Sequence, residues 1–468
     1  MQSAERAGNG DTQVPGSATL VLERGKLLAV ESTAPAAEVR SRVVGEAKVI
    51  AAKRPLAPRH WALVGFLAVL GPGLMVMLAD TDAGSVVTAA QSGARWGYSL
   101  LPLEVGLIPV LYLVMELTVR LGIATGKGHA RLVRDCFGGK WAFISVATLV
   151  LSTTGALVTE LAGISGVAAM EGIPPLVSVP AAAVFLGLIV LSGSYRRVER
   201  IGVGLGLFEL AFLVAALRAH PAVASLAKSF TSLGPVGHSG YLAIVAANVG
   251  AVVMPWMIFY QQAAVVDKGL TPKDLHVARA DTAIGAVITQ VVMIAVLVAT
   301  AAAVYAHRGS HGTMQLRNVQ SISAALVPSL GVSAGRLAFA LGITGAALVA
   351  AIVVSLAAAW AFAEASGARG SLNQRARQAP VFYGAYYASL AIAAVLALAW
   401  GHAVQLSIAV EIGNSLLLPI VLGFLLAIAW KALPAPYRLS RARSAITVVV
   451  VVAVLVLNFV MVFQGGGL

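Results

Sequence analysis

"MLADTDAGSVVTAAQ", residues 77–91, lies in one of the most apolar parts of the chain. Yet it carries Asp80 and Asp82 two positions apart, followed by Gly84 and Ser85. An ionised carboxylate at the centre of a bilayer costs at least ~2.5 kcal/mol even on lenient insertion scales. Glycine weakens a helix interior by about 1 kcal/mol relative to alanine. A helix that only had to pack gains nothing from either. Unwinding at Ala83-Gly84-Ser85 would free carbonyl oxygens from the helix ladder. Carboxylates, carbonyls and a hydroxyl then form an all-oxygen setting that suits magnesium, calcium or manganese.

The rest of the chain supplies the membrane that this reading needs. Of its 468 residues 59% are hydrophobic and 11% charged, against about 25% charged in an ordinary soluble domain. The mean hydropathy is +0.86. Apolar runs of roughly 20 residues, enough to cross a ~30 Å hydrocarbon layer, recur along almost the whole length. The chain therefore reads as an all-α polytopic membrane protein. About eleven transmembrane helices are expected, near 61–90, 97–122, 141–168, 175–193, 201–219, 240–266, 278–306, 335–364, 381–400, 404–431 and 445–463.

The net charge of +13 does not call for a nucleic-acid partner. Most of the Lys and Arg sit in short connections such as "GKGHARLVRDCFGGK" (126–140), "SYRRVER" (194–200) and "RGSLNQRARQ" (369–378). Basic loops stay cytoplasmic, which orients the N-terminus inside and the C-terminus outside a plasma membrane. Cys136, the only cysteine, forms neither an intramolecular disulfide nor a metal cluster by itself. Residues 1–60 lack an apolar signal core and read as a mobile cytoplasmic tail. A short ordered piece is expected within "ATLVLERGKLLAV" (18–30). The outer loop 307–334 is long enough to carry short helical structure.

A second interruption falls five spans after the first. In "GAVVMPWMIFYQQ" (250–262) Pro255 removes a backbone donor from the helix ladder. Interrupted segments at corresponding places in two halves point to inverted repeats with a binding site at the midplane. Other intramembrane polar residues are candidates for the same site. Glu160 lies mid-span in "VTELAGISG", and Glu411 lies in "AVEIGNSLLLP" with Asn414 three positions on, near the same helix face. Trp256, Phe259 and Tyr260 would shape the cavity and gate, and Gln261 and Gln262 an inner vestibule. Met254 reads as filler or as a soft thioether ligand. Zincin, nucleophile-elbow and Walker signatures are absent, and no enzymatic role is expected.

These motifs resemble the NRAMP superfamily of divalent metal transporters over nearly all of residues 60–463. The anchors are "GPG…LADTDAGS…TAAQSGARWGYSLL", "LGIATGKG", "TELAGISG" and "GAVVMPW". The resemblance implies a LeuT-type fold: two inverted five-helix repeats, here about 61–219 and 240–431, plus an extra helix at 445–463. Within a transporter domain of 61–468, helices 1 and 6 would be broken and metal would move by alternating access. It also implies Asp82, Ser85, Asp80, Ala251 and Met254 around the metal, with Gly84, Glu160, Glu411 and Asn414 lining the cavity.

Departures from the family pattern refine the expectation. The DPGN motif reads Asp82-Ala83-Gly84-Ser85, and Trp256 replaces the histidine of Ala-x-x-Met-Pro-His. Asp-Leu-Ala-Glu becomes Glu160-Leu161-Ala162-Gly163, and Glu411 stands where a glutamine is expected. Losing a mid-membrane histidine and an acid removes proton carriers. Extra carboxylates favour a hard ion that keeps its water. The pattern resembles the NRAMP-related magnesium transporters. It implies a monomeric unit carrying hydrated Mg²⁺, and Mn²⁺ as well, as substrate rather than as cofactor and without proton coupling. Two alternatives stand beside it: a proton-coupled Mn²⁺/Fe²⁺ importer using Glu160 and Glu411, favoured if the Met254 sulfur touches the ion, and a non-transporting cation sensor.

Overall fold

The computed structural model describes residues 71–463 apart from 233, 308–315, 317, 331, 369 and 400–402, and the backbone of 19–23 and 26–30. The early segment and the remainder form separate compact units. In the first, β1 (Thr19–Glu23) and β2 (Lys26–Val30) pair antiparallel, with Thr19 opposite Val30 and Glu23 opposite Lys26. The ordered piece expected in 18–30 is thus a hairpin. Short continuous apolar runs on each side of a charged turn suit strands as well as a helix. The rest of the expected tail, and residues 61–70 of the expected first span, lie outside the described residues.

The second unit is helical. The first span is two pieces, α1 (Pro72–Asp80) and α2 (Ala83–Trp96). There follow α3 (Leu101–Thr125), the short α4 (His129–Phe137), α5 (Gly139–Met170) and α6 (Pro175–Val190). The fifth span comprises α7 (Tyr195–Gly206), a 3-10 turn at Leu207–Leu210 and α8 (Ala211–Arg218). After α9 (Val223–Ser229), the sixth span is again two pieces, α10 (Ser239–Val252) and α11 (Pro255–Asp267). The chain continues through α12 (Leu275–Ala303), α13 (Val319–Leu330), α14 (Val332–Ser366), α15 (Pro380–Ala399), α16 (Ala403–Ala432) and α17 (Arg441–Phe463).

Among the described residues nine helical stretches are long and apolar enough to cross a membrane. The shorter α6 and the broken α1–α2 take the remaining places in the expected order. α13 supplies the helical structure expected in the outer loop. One boundary differs clearly: "YRRVER" is the first turn and a half of α7 rather than a loop, with Tyr195, Val198 and Glu199 buried. Its basic residues sit on the opposite face, so charge alone did not mark a break.

Large apolar side chains such as Phe143, Leu176 and Leu217 are about three-quarters exposed, as a lipid-facing surface requires. The interior is built around the two broken spans. α1 and α2 lie against α12, α10 lies against α16, and α5 runs along α14. Asp281 of α12 anchors the start of α1 by accepting from the backbone N–H groups of Gly71, Gly73 and Leu74 at 3.2, 2.8 and 3.1 Å. A carboxylate at a helix N-terminus satisfies orphan donors and meets the positive end of the helix dipole.

Candidate metal-transport site

The first break lies at Thr81–Asp82, two residues before the expected unwinding at Ala83-Gly84-Ser85. Asp82 itself causes the shift. Its extended backbone (φ −71°, ψ 174°) makes it the N-cap of α2, and Oδ1 accepts from Ser85 N at 2.6 Å. A capping carboxylate lets the helix restart at once. Ala83, Gly84 and Ser85 are therefore the first turn of α2. Their exposed groups are N–H donors rather than freed carbonyls, and the Ala83 N–H donates to Glu160 Oε2 at 3.1 Å.

The second break lies at Val253–Met254, directly before Pro255 at the first position of α11. The two breaks meet: Ser85 Oγ donates to the Ala251 carbonyl at 3.1 Å. The Met254 sulfur beside this break accepts from the Trp256 indole Nε1–H at 3.1 Å.

Around these breaks stand carboxyl groups from several spans. Asp82, Glu160 and Glu411 are fully buried and within electrostatic range of one another. Gly84 makes the approach possible: a Cβ there would stand 2.6 Å from Glu411 Oε1. Asn414 donates to Glu411 Oε2 at 3.0 Å and accepts from Ser152 at 2.7 Å. Asp80, within electrostatic range of Asp82 and Glu411, also meets Thr289, whose hydroxyl lies 3.4 Å from Asp80 Oδ2 and 2.8 Å from Thr81 Oγ1.

Several acceptors are left without a donor. Asp80 Oδ1, Asp82 Oδ2 and Glu411 Oε1 are buried and unpartnered. Buried carboxylate oxygens without donors are costly unless a cation or proton meets them. Among the described residues no three His, Cys, Asp or Glu side chains converge as a ready-made metal cage. The acids line the break instead of surrounding one point.

The remaining candidates sit below the second break on α11. Tyr260 OH donates to the Met75 sulfur at 3.1 Å, tying α11 to α1. Phe259 packs edge-on against His129, with ring centres 4.5 Å apart. Gln261 is stitched to α12 and α3, donating to Thr282 Oγ1 at 2.9 Å and accepting from Thr118 at 3.2 Å. Gln262 donates to the Lys127 carbonyl at 3.0 Å. Both glutamines are enclosed and bonded to neighbours. The sequence reading missed Asp281 and Glu209. The cost argument that flags Glu160 applies equally to the acid in "GLFELAF" (206–212), which the structure presents on a 3-10 turn.

Two helices broken where they meet, with unpartnered acids beside the breaks, define a multi-pass membrane transporter with a cation-directed site. Solved structures bear out the fold. The Eremococcus coleocola manganese transporter, in complex with an aromatic bis-isothiourea compound, superposes with a TM-score of 0.69 at 19% identity, covering 88% of this chain and 89% of its own. A Na⁺-coupled sialic acid symporter superposes at 0.54 with 13% identity, covering 84% and 88%. The chain belongs to the natural resistance-associated macrophage protein-like (Nramp) family, which matches residues 73–464. It is similar to the divalent metal cation transporter MntH of Aeromonas hydrophila, at 31% identity over 62% of this chain and 72% of that one. The MntH of Pectobacterium carotovorum matches at 29%, over 62% and 71%.

Proposed function

We propose that this transporter moves hydrated divalent cations, Mg²⁺ first and Mn²⁺ as well, by alternating access without proton exchange. It would work as a monomer in the plasma membrane, N-terminus inside and C-terminus outside. Asp82 is the principal anionic ligand, with the Ser85 hydroxyl, the Ala251 carbonyl and Asp80 around the ion.

The observation that carries the preference for a hard ion is the Trp256–Met254 contact. Soft thioether donors select transition metals over Mg²⁺, and here the indole N–H engages the sulfur. Loss of proton coupling is supported by Gly163. A Cβ there would stand 2.6 Å from the Ala83 Cβ, so the acid of the proton-coupled pattern has no room. A second reading keeps proton coupling through Glu160 and Glu411, whose carboxyls crowd Asp82.

One experiment separates them: cation flux into proteoliposomes containing a pH-sensitive dye, comparing Mg²⁺, Mn²⁺ and Ca²⁺. The proposal predicts entry of Mg²⁺ and Mn²⁺ with no pH change. Acidification with Mn²⁺ entry, together with exclusion of Mg²⁺, overturns it in favour of the second reading.

A further inference from the structure

Glu209 sits on the 3-10 turn that interrupts the fifth span. It is fully buried, and neither carboxyl oxygen has a hydrogen-bond partner. Among the described residues it is the one buried acid with both oxygens open. Other buried acids are held: Asp281 by three backbone N–H groups, Glu116 by Arg120 and Arg279, Glu199 by Lys268.

Its position is dictated by how the fifth span lies on α1. Gly202, Gly206 and Glu209 recur at helical spacing on one face. A Cβ at Gly202 would stand 2.7 Å from Met75 Cε, and one at Gly206 2.8 Å from Leu78 Cβ. These glycines press the span onto α1. One turn further on, Glu209 reaches the end of α1, where its carboxyl lies beside the Thr81 hydroxyl and within electrostatic range of Asp82. Thr81 is bonded to Thr289, which also contacts Asp80. Glu209, Thr81, Thr289 and the open Asp80 Oδ1 offer only hard oxygen donors. They lie at the first break.

We infer that Glu209 is a further cation-handling residue of the transport route, a carboxylate on the fifth span that holds the hydrated divalent cation beside Thr81 as it passes the break at Asp82. The inference rests on the proposed cation transport. A carboxyl kept only to fill space would fit beside Thr81 as well in the form of an amide, and this distinguishes the two roles.

The test uses the full chain in proteoliposomes, with Mn²⁺ and Mg²⁺ flux measured for wild type, Glu209→Gln, Glu209→Asp and Asp82→Ala. Thermal unfolding in detergent is followed with and without Mn²⁺. Glu209→Gln should unfold near the wild-type temperature yet lose roughly tenfold or more in kcat/KM, as when one anionic partner of a charge pair is removed. It should also lose part of the Mn²⁺-induced stabilisation, and Glu209→Asp should recover much of both. Wild-type kcat and KM for both ions in Glu209→Gln overturn the assignment while leaving transport intact. Parallel loss of flux and unfolding temperature in Glu209→Gln, unrelieved in Glu209→Asp, makes the residue structural and overturns it too. A wild-type protein that carries neither ion removes the transport reading and this inference with it.

Discussion

Gly163→Ala adds one methyl group where α5 crosses the start of α2. Its Cβ would come 2.6 Å from the Ala83 Cβ, closer than two carbons can pack. Ala83 has no flexible side chain to move aside, so the backbone beside Asp82 must yield. Overpacking of this kind costs about 1–3 kcal/mol, while replacing glycine by alanine in a helix returns about 1 kcal/mol. The net expectation is a loss of about 0–2 kcal/mol. Its consequence at the site is larger, because Ala83 N–H is the donor that holds Glu160. Shifting it separates Glu160 from Asp82. Cation uptake should therefore fall more than stability does. Ala83→Gly in the same chain removes the opposing atom and should restore uptake, giving a coupling energy of about 0.5–3 kcal/mol between the two changes. The assay is a double-mutant cycle on unfolding temperature and proteoliposome uptake. Wild-type behaviour of Gly163→Ala, or additivity of the two changes, would refute the contact as the reason for the glycine.

Other outcomes follow from the same geometry. Asp281→Ala strips the acceptor from three backbone N–H groups and should cost about 2–3 kcal/mol; faster hydrogen exchange at residues 71, 73 and 74 would report it. Trp256→Phe releases the Met254 sulfur and should shift preference toward Mn²⁺ over Mg²⁺ by about 2–10-fold, the size of one sulfur contact, read as a ratio of uptake rates. Burial against Phe259 pushes the His129 imidazole down to about 4. The unfolded chain then takes up a proton near pH 6.5 that the folded chain resists, so stability should fall by about 3 kcal/mol as pH drops from about 6.5 to about 4. His129→Asn should flatten that part of the pH–stability curve.

Both broken spans were legible because the signals are energetically expensive: acids and glycine inside an apolar run, and a proline that deletes a donor. Their meeting point was less legible. Sequence spacing placed the unwinding at Ala83–Ser85, whereas the Asp82 cap restarts the helix at Ala83 itself. Glu209 interrupts its apolar run as Glu160 does, so the residue was legible; the 3-10 turn that presents it was not. The basic residues of the fifth span concealed a helical start, since a helix can keep arginines on one face and bury Tyr195 and Glu199 on the other.

The central claim is that a divalent cation sits between the two breaks against Asp82. Anomalous scattering from the protein crystallised with Mn²⁺ tests it directly. A single intramembrane peak beside Asp82 Oδ2, facing Ala251 and absent in Asp82→Ala, is the predicted result. An intramembrane peak elsewhere, or one that survives Asp82→Ala unchanged, contradicts the account.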